Sequence, residues 1–375
     1  MQLFANRRVG VDIGATGVRV VEIGGVDSSG YAIVRRAARV PLREGAIVAG
    51  EIKNPALLGQ ILAQALKQAG VPRQGFVLGT TSRFAAVSHL DSPVAVAAHE
   101  RTDQIRLSRH EVSPTVPLAD SAISWNLVEV RKSAVPPTNV LNVALMLRRE
   151  LEELRRVCKI ASAQPQAIDL TAAGLLRALV RVPEDDRAIT TIVDIGASKT
   201  LVATRQGTQL RSLRTIVSGG SIITRALMGS EDIDFDEAED RKRFLRLPDH
   251  HAPLATGGYA EPEGSGLTPR STAERTLTTA VDQLIEEIAK SISVDSQAHQ
   301  RDLTRGIQLT GGGARIPGLP ERLQARIGVP VVLTKPWAEL ALPKKVSILA
   351  PNEQPTELLG DLTAAIGLAL WRTPQ

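Results

Sequence analysis

The chain has 375 residues, of which 43% are hydrophobic and 23% charged, and its net charge is +5. This length exceeds what a single core usually supports, so we expect two or more domains. The aromatic content of 3% and the scattered basic residues weigh against a nucleic-acid-binding surface. Cys158 is the only cysteine, which excludes an intrachain disulfide. No apolar run reaches the length of a membrane span and no signal-peptide core precedes the first strand, so we expect a cytoplasmic protein.

The start of the chain predicts a βββαβ unit. Apolar runs predict a hairpin over Val9–Glu22 and strands over Tyr31–Val40 and Gly75–Thr80. The segment Pro55–Gly70 has apolar residues at helical spacing and ends at a glycine followed by Pro72, which predicts a helix.

The next segment changes character and predicts a small α+β module inserted into the first unit. Its predicted elements are strands over Arg83–Leu90, Ala122–Val130 and Val140–Leu147 and helices over Val94–Leu107 and Arg148–Ala163.

The second half begins with another hairpin, predicted over Ile189–Thr204. Pro248–Arg270 is rich in glycine, proline and histidine and predicts a long loop. The other predicted elements are strands over Gln209–Val217, Gly306–Thr310 and Val329–Leu333 and helices over Phe235–Leu247, Ser271–Asp295 and Ile316–Ile327.

The two hairpins share the sequence Asp-Ile-Gly. Asp12 and Asp194 each end an apolar run and are followed by small or hydroxyl residues and a second apolar run. Gly14 and Gly196 permit a tight turn and close approach of a ligand to the main chain. Two such turns facing each other can hold a phosphate chain, with both aspartates directed at a metal ion. The duplication predicts two related lobes with a cleft between them.

A second repeat pairs Asp169–Leu179 with Asp361–Leu370, which both begin Asp-Leu-Thr-Ala-Ala. Their alanine and glycine content predicts two helices that pack at close range. Helices of this kind can connect two lobes and act as a hinge.

Taken in order, these motifs resemble the actin/hexokinase ATPase superfamily. Its two phosphate motifs resemble Asp12–Arg19 and Asp194–Thr200, its adenosine motif resembles Leu309–Leu319, and its connecting helices resemble the second repeat. The place of the inserted module, before the first connecting helix, is shared with the FtsA and PilM families. The opening sequence, the charged helix Arg148–Ala163 and the chain length are similar to PilM in particular.

The resemblance implies an α/β architecture: the actin/hexokinase (ribonuclease H-like) duplicated two-lobe fold with a small inserted SHS2-like α+β module. It implies a first lobe over residues 1–80 and 165–185 and an inserted module over residues 81–164. The second lobe is then expected over residues 186–375, with a mobile loop near residues 248–270.

The resemblance also implies that the chain binds ATP and Mg²⁺. Asp12 and Asp194 would hold Mg²⁺, mostly through water, and Asp194 is also the candidate catalytic residue. Other residues would bind the nucleotide through main-chain N–H groups, hydroxyls, charge or close approach of bare main chain. They are Gly14, Thr16, Gly17, Arg19, Gly196, Ser198, Thr200, Glu239, Lys242, Gly311, Gly312 and Gly313.

Simpler interpretations stay open at several of these positions. An aspartate often caps a turn, Arg19 or Lys199 can be a solvated strand residue, and Glu239 with Lys242 can form a surface pair. No glutamine or glutamate stands clearly where a water-positioning group belongs, and Gln166 and Asp169 are the nearest candidates. We therefore expect at most slow hydrolysis.

For function, the resemblance implies a cytoplasmic adaptor of a type IV pilus or related secretion platform. Its partner would be the N-terminal tail of a PilN-like inner-membrane protein, held in a groove between the first lobe and the inserted module. Association with an assembly ATPase, with other platform proteins or with further copies of the chain is also compatible with the family. The alternatives are an FtsA-like filament-forming ATPase and, disfavoured by the inserted module, a small-molecule kinase.

Overall fold

The computed structural model describes residues 8–42, 45–48, 50–108, 112, 116–180, 188–244, 247, 272–298, 304–341 and 355–371. The chain divides into two compact units. The first comprises Met1–Ala188, Ala203–Thr215 and Lys335–Gln375, and the second comprises Ile189–Val202 and Ile216–Thr334. The resemblance implies a second lobe over residues 186–375, whereas the segment Lys335–Gln375 is grouped here with the first unit. The predicted loop at residues 248–270 lies outside the described residues.

Strands and helices alternate along both units. The described strands are β1 (Arg8–Gly14), β2 (Gly17–Val26), β3 (Ala32–Pro41), β4 (Ile47–Val48), β5 (Glu51–Ile52), β6 (Gln74–Thr80), β7 (Ala85–Pro93), β8 (Ser121–Arg131), β9 (Thr138–Leu147), β10 (Gln164–Leu170), β11 (Ile189–Ile195), β12 (Thr200–Gln206), β13 (Gln209–Ile216), β14 (Ile307–Thr310), β15 (Val331–Leu333) and β16 (Ala338–Leu340). The described helices are α1 (Pro55–Ala69), α2 (Arg101–Leu107), α3 (Arg148–Ile160), α4 (Thr171–Leu179), α5 (Gly220–Glu231), α6 (Phe235–Phe244), α7 (Thr272–Ala298), α8 (Leu319–Ile327), α9 (Pro355–Asp361) and α10 (Thr363–Ala369). None of these helices is both long and apolar enough to cross a bilayer.

The first unit contains a six-stranded sheet with the strand order β10-β6-β1-β2-β3-β16. β1, β2 and β3 are antiparallel neighbours, whereas β6 runs parallel to β1, β10 to β6 and β16 to β3. Alternate side chains of β1 face opposite sides of the sheet. Val11 and Ile13 join a core with Leu62 of α1. Gly10 and Asp12 face the other side, where α4 and α10 pack.

The connecting helices α4 and α10 meet through glycines. A Cβ atom at Gly367 of α10 would fall on the main chain of Gly174 in α4, and one at Gly10 of β1 would fall on the carbonyl of Ala365. The predicted close packing of the two repeat helices is therefore confirmed. Because α10 covers β1 and β16 pairs with β3, the C-terminal segment completes the first unit.

The inserted module lies within the first unit. Its strands follow the order β7-β9-β8, and β13, from a later part of the chain, lies beside β7. α2 is shorter than the predicted helix over Val94–Leu107. Pro93 ends β7, and residues 93–100 form successive turns closed by hydrogen bonds such as that from the Val96 N–H to the Pro93 carbonyl. Valines at positions 94 and 96 lower the helix propensity of this stretch, so the turns prevail.

The strand β10 is not predicted by the sequence pattern, which leads from the charged helix directly into a connecting helix. Residues 164–170 pair in parallel with β6, and α4 begins only at Thr171. Pro165 disfavours helical geometry at Gln164. The short apolar run that follows cannot be assigned by periodicity alone, so the long-range pairing with β6 decides its structure.

The second unit is built on the parallel neighbours β11, β14 and β15, and β12 is divided between the two units. Its core joins these strands to α5, α7 and α8 through Ile223, Leu284, Leu309 and Leu323. Strand β14 leads into a 3-10 helix over Gly312–Arg315, which brings the predicted glycine-rich motif to the end of β11.

Candidate functional site

The first Asp-Ile-Gly turn joins β1 to β2, with Gly14 opposite Gly17 and Asp12 opposite Arg19. The Arg19 side chain lies over the turn: its Nη1 donates to the Gly17 carbonyl at 3.3 Å and its Nη2 to the Thr16 hydroxyl at 3.4 Å. A Cβ atom at Gly14 would come within 2.7 Å of Arg19 Nη1. Glycine is therefore needed for the guanidinium to cover the turn, and Arg19 is not a solvated strand residue.

Asp12 is a buried carboxylate, only 8% exposed. Burial raises its pKa, opposed by the Arg19 guanidinium, whose Nη1 lies 3.9 Å from Asp12 Oδ2, and by a hydrogen bond from the Thr171 hydroxyl. Its burial and its contacts with Arg19 and Thr171 distinguish Asp12 from an aspartate that only caps its own turn. No main-chain cap by Asp12 is seen in the described hydrogen bonds around this turn.

Asp361 lies beside this turn and pairs with Arg19 and Arg39. The sequence motifs do not predict it as a residue of the site. Arg19 and Arg39 are directly opposite each other on β2 and β3. Asp361, at the end of α9, lies 3.7 Å from Arg19 Nε and 3.1 Å from Arg39 Nη1, and so offsets their repulsion. Its partners are more than 300 positions away, with a separation of 322 for Arg39, so no local sequence signal could have found it.

Neither water-positioning candidate contacts Asp12. Asp169 forms an ion pair with Arg177 and accepts a hydrogen bond from the Leu170 N–H at 2.8 Å. Gln166 is exposed on β10. The residue of α4 that does contact Asp12 is Thr171.

The second Asp-Ile-Gly turn is fixed to the start of α5. The N–H of Gly220 donates to the Gly196 carbonyl at 2.9 Å, and that of Ser221 donates to the Ala197 carbonyl at 2.8 Å. The Thr200 hydroxyl donates to the Ser218 carbonyl at 2.8 Å, so its proton joins the end of the turn to the segment that precedes α5. Ser198 is half-buried within the turn.

The glycine-rich motif packs directly on the end of β11. Gly311 has a φ of 92°, and a Cβ atom there would overlap Asp194 Oδ1, while one at Gly313 would overlap the Ile195 side chain. These glycines are needed because the motif packs closely against the end of β11. The bare main chain of the glycine-rich motif therefore lies beside the Asp194 carboxylate.

Glu239 and Lys242 of α6 are not a surface pair. Lys242 is buried, and its Nζ donates to Glu239 and, at 2.9 Å, to the Thr224 hydroxyl. Burial lowers the pKa of Lys242, opposed by Glu239. A Cβ atom at Gly220 would lie 3.6 Å from Lys242 Nζ and 3.7 Å from the Gly313 Cα. The Glu-x-x-Lys pair, the second turn and the glycine-rich motif therefore converge in the second unit.

A metal bound by protein side chains alone is not supported in the described part of the chain, which holds no group of three or more His, Cys, Asp or Glu suited to a metal. Mg²⁺ commonly takes one or two carboxylates and fills its shell with water and substrate phosphates. The buried carboxylate of Asp12 fits such an ion, and the main-chain N–H groups and Thr16 hydroxyl of the adjacent turn fit the phosphates that share it. The two histidines of the predicted loop Pro248–Arg270, His250 and His251, lie outside the described residues and are not assigned to a metal.

A separate groove of about 780 Å³ lies in the first unit between α3 and β10. Its lining combines apolar, cationic and amide side chains, including Leu151, Arg155, Cys158, Lys159, Gln166 and Ile168. β10 ends its sheet, and no described strand pairs with its outer edge. Burial raises the pKa of the Cys158 thiol to about 11, so this cysteine is a weak nucleophile and acts as a packing residue.

The chain is similar to known proteins over nearly its whole length. The profile of the family described as type IV pilus assembly protein PilM matches residues 10–254 and 263–373. The cell division protein FtsA of Enterococcus hirae is 24% identical over 348 residues, which cover 88% of this chain and 78% of FtsA.

Solved structures share the fold. A PilM-PilN type IV pilus biogenesis complex matches with a TM-score of 0.75 at 20% identity, covering 97% of both chains. MreB5 of Spiroplasma citri bound to ADP matches with a TM-score of 0.51 at 14% identity, covering 98% of this chain and 96% of MreB5. These likenesses confirm the predicted actin-like α/β fold.

Proposed function

The chain belongs to the type IV pilus assembly protein PilM family, and from that premise we propose that it is an ATP-binding cytoplasmic adaptor of a pilus assembly platform. In this proposal it binds Mg²⁺ and ATP and captures the N-terminal tail of a PilN-like inner-membrane protein. It is thereby peripheral to the inner membrane through its partner. The solved PilM-PilN complex supports a partner of this kind.

The nucleotide proposal rests on the two turns. In the first unit, Asp12 would hold Mg²⁺ through water, while Gly14, Thr16, Gly17 and Arg19 would contact phosphate oxygens. A bound Mg²⁺ would neutralise phosphate charge. Arg19 is already drawn over the turn by Asp12 and Asp361, so its guanidinium lies where a phosphate would approach the main-chain N–H groups.

In the second unit, Asp194 is the proposed second Mg²⁺ contact, and Gly196, Ser198 and Thr200 the phosphate contacts. Since the Thr200 proton is used by Ser218, Thr200 would contribute its main chain or its hydroxyl lone pairs rather than a new donor. Glu239 and Lys242 would face the ribose, and Gly311, Gly312 and Gly313 the adenine. ADP bound to MreB5, which shares the fold, supports a nucleotide as the ligand.

Hydrolysis is proposed to be slow at most. The residue of α4 that contacts Asp12 is Thr171, which carries a hydroxyl. A hydroxyl neither activates water, as a carboxylate does, nor orients it, as a glutamine amide does. The nucleotide would then act mainly as a ligand that stabilises the folded chain by mass action.

The observation that carries the partner proposal is the outer edge of β10, which no strand in the described part of the chain pairs with, beside a groove. Extended peptides commonly bind by adding a strand to such an edge, with main-chain hydrogen bonds for affinity and pockets for side chains. The outer edge of β10 offers the main-chain groups, and the groove of about 780 Å³ against α3 offers the pocket. The groove lies between the inserted module's helix α3 and the first lobe's strand β10, where the sequence resemblance places the tail.

Charge reversal in this groove is expected to weaken tail binding. Arg155 and Lys159 are exposed cations on the groove wall, suited to the carbonyl oxygens and carboxylates of a bound peptide. We expect Arg155→Glu to raise the Kd of the PilN-like tail about tenfold, since glutamate repels those oxygens. The measurement is fluorescence anisotropy of a labelled N-terminal tail peptide, with and without ATP and Mg²⁺.

The matched control is Arg156→Glu, which makes the same charge change at the adjacent exposed position of α3, outside the groove lining. Its Kd should equal that of the wild type. Equal weakening by both variants would reveal a long-range charge effect, and the same Kd in all three proteins would remove the groove as the tail site.

The likeness to FtsA supports a second candidate function, a filament-forming ATPase. Filaments require repeated head-to-tail contacts between copies of the chain. Negative-stain electron microscopy with ATP and Mg²⁺ separates the two: filaments favour this second candidate, and their absence together with tail binding favours the adaptor.

A further inference from the structure

Thr171, the first residue of α4, directs its side chain at the first turn. Its hydroxyl donates to Asp12 Oδ1 at 3.5 Å, across 159 positions of sequence. Both residues are buried, with Thr171 only 3% exposed. This contact joins the connecting helix to the carboxylate that the proposed nucleotide site assigns to Mg²⁺.

The hydroxyl does not serve its own helix. Threonine near a helix start often caps it by accepting a hydrogen bond from a main-chain N–H. α4 has Leu170 at its N-cap and no side-chain cap. Thr171 is therefore placed for its contact with Asp12 rather than for helix stability.

A glycine makes room for this contact. Gly79 of β6 is directly opposite Asp12 of β1 in the sheet register. A Cβ atom at Gly79 would lie 3.1 Å from Thr171 Oγ1 and would overlap the Leu368 side chain. The position opposite the carboxylate is thus kept free, and Thr171 takes that space.

The other oxygen of the Asp12 carboxylate, Oδ2, lies on the side of Arg19. Asp12 Oδ2 faces Arg19 Nη1 at 3.9 Å, beyond hydrogen-bond distance. We propose that Thr171 is a positioning residue for Mg²⁺ binding: by donating to Oδ1 it fixes the orientation of Asp12 and leaves Oδ2 available to the water shell of the ion. This inference rests on the proposed nucleotide site.

The other polar residues near the start of α4 cannot take this role. Asp169 is held by Arg177 and the Leu170 N–H, and Gln166 is exposed on β10. Thr171 itself donates a hydrogen bond but is not a base at neutral pH. Its role is therefore to orient Asp12 and not to activate water.

The test is Thr171→Val, which keeps the shape and removes the hydroxyl, with Thr171→Ser to restore it. The affinity for ATP is measured by calorimetry with Mg²⁺ and with EDTA. The ratio of these two affinities is the factor by which Mg²⁺ strengthens ATP binding, called here the Mg²⁺ gain. Residues that orient a metal ligand typically change metal affinity about 10–100-fold when replaced. We expect valine to reduce the Mg²⁺ gain by about that factor and serine to restore it.

Thr363→Val is the matched control. Thr363 is 2% exposed at the start of α10, and its hydroxyl donates to the Gly360 carbonyl at 2.7 Å rather than to Asp12. Its Mg²⁺ gain should match that of the wild type. A Mg²⁺ gain in Thr171→Val equal to that of the wild type overturns the inference. An equal loss of ATP affinity with Mg²⁺ and with EDTA also overturns it, because it marks a purely structural role. Absence of ATP binding by the wild-type chain instead overturns the proposed function itself.

Discussion

Replacing Gly367 by alanine is expected to destabilise the first unit by at least about 3 kcal/mol. Alanine has a helix propensity about 1 kcal/mol better than glycine, so a helix with free space would gain stability. At this position the new methyl group would fall on the main chain of Gly174. Main chain cannot move aside as a flexible side chain can, so α4 and α10 must separate and lose contacts with β1 as well.

Gly229 of α5 supplies the control. A Cβ atom there would meet nothing within 4 Å, so Gly229→Ala should stabilise the protein by about 0.5–1 kcal/mol. Urea denaturation followed by circular dichroism measures both variants. Tryptophan fluorescence adds a specific signal, because the three tryptophans lie in the first unit. If Gly367→Ala were stabilised like Gly229→Ala, α4 and α10 would not pack at the distance described.

The second large effect is expected from Asp12→Asn, which should weaken ATP binding in Mg²⁺ by at least about a hundredfold, beyond the range for residues that act only through a metal ligand. The amide keeps the size of the carboxylate but loses the charge that would hold the ion. Fluorescence titration with a labelled ATP analogue measures the change. Asp91→Asn is the control, since Asp91 is an exposed partner of Arg131 and should leave the affinity unchanged.

The same substitution should not lower folding stability at neutral pH. Burial raises the pKa of Asp12 above its ordinary value of 3.8, so the folded state favours the neutral form. The stability that a neutral Asp12 provides is complete below pH 3.8 and is lost as pH rises through the raised pKa. Asparagine stays neutral, so the variant should be at least as stable as the wild type at pH 7 and should lose this advantage in acid. A marked loss of stability at pH 7 would assign Asp12 a structural role.

Local sequence patterns carry much of this fold because the relevant residues are neighbours in the chain. The Asp-Ile-Gly turns lie between apolar runs, so both the strands and the acidic turn can be predicted from one short segment. The repeat containing Gly174 and Gly367 predicts close helix packing because small residues are the only ones that permit it. The glycine-rich motif likewise follows β14 directly.

The remaining features depend on contacts between distant residues. Strand β10 exists because it pairs with β6, some 90 positions earlier, with Gln164 opposite Gln74. Asp361 and Thr171 reach the first turn only because α9 and α4 are brought to the same side of the sheet. The burial of Lys242 requires Thr224 on another helix. Spacing cannot reveal such contacts. The pairing of β16 with β3 and the packing of α10 on β1, which group the C-terminal segment with the first unit, are contacts of the same kind.

Hydrogen–deuterium exchange of the full-length chain, with and without ATP and Mg²⁺, examines both acidic turns in one experiment. Nucleotide binding should slow the exchange of main-chain amides in residues 14–17 and 196–199 together, because both loops would donate N–H groups to phosphate oxygens. Protection of the two loops that disappears when Mg²⁺ is chelated is the expected result. Unchanged exchange in both loops at saturating ATP would contradict nucleotide binding by this chain.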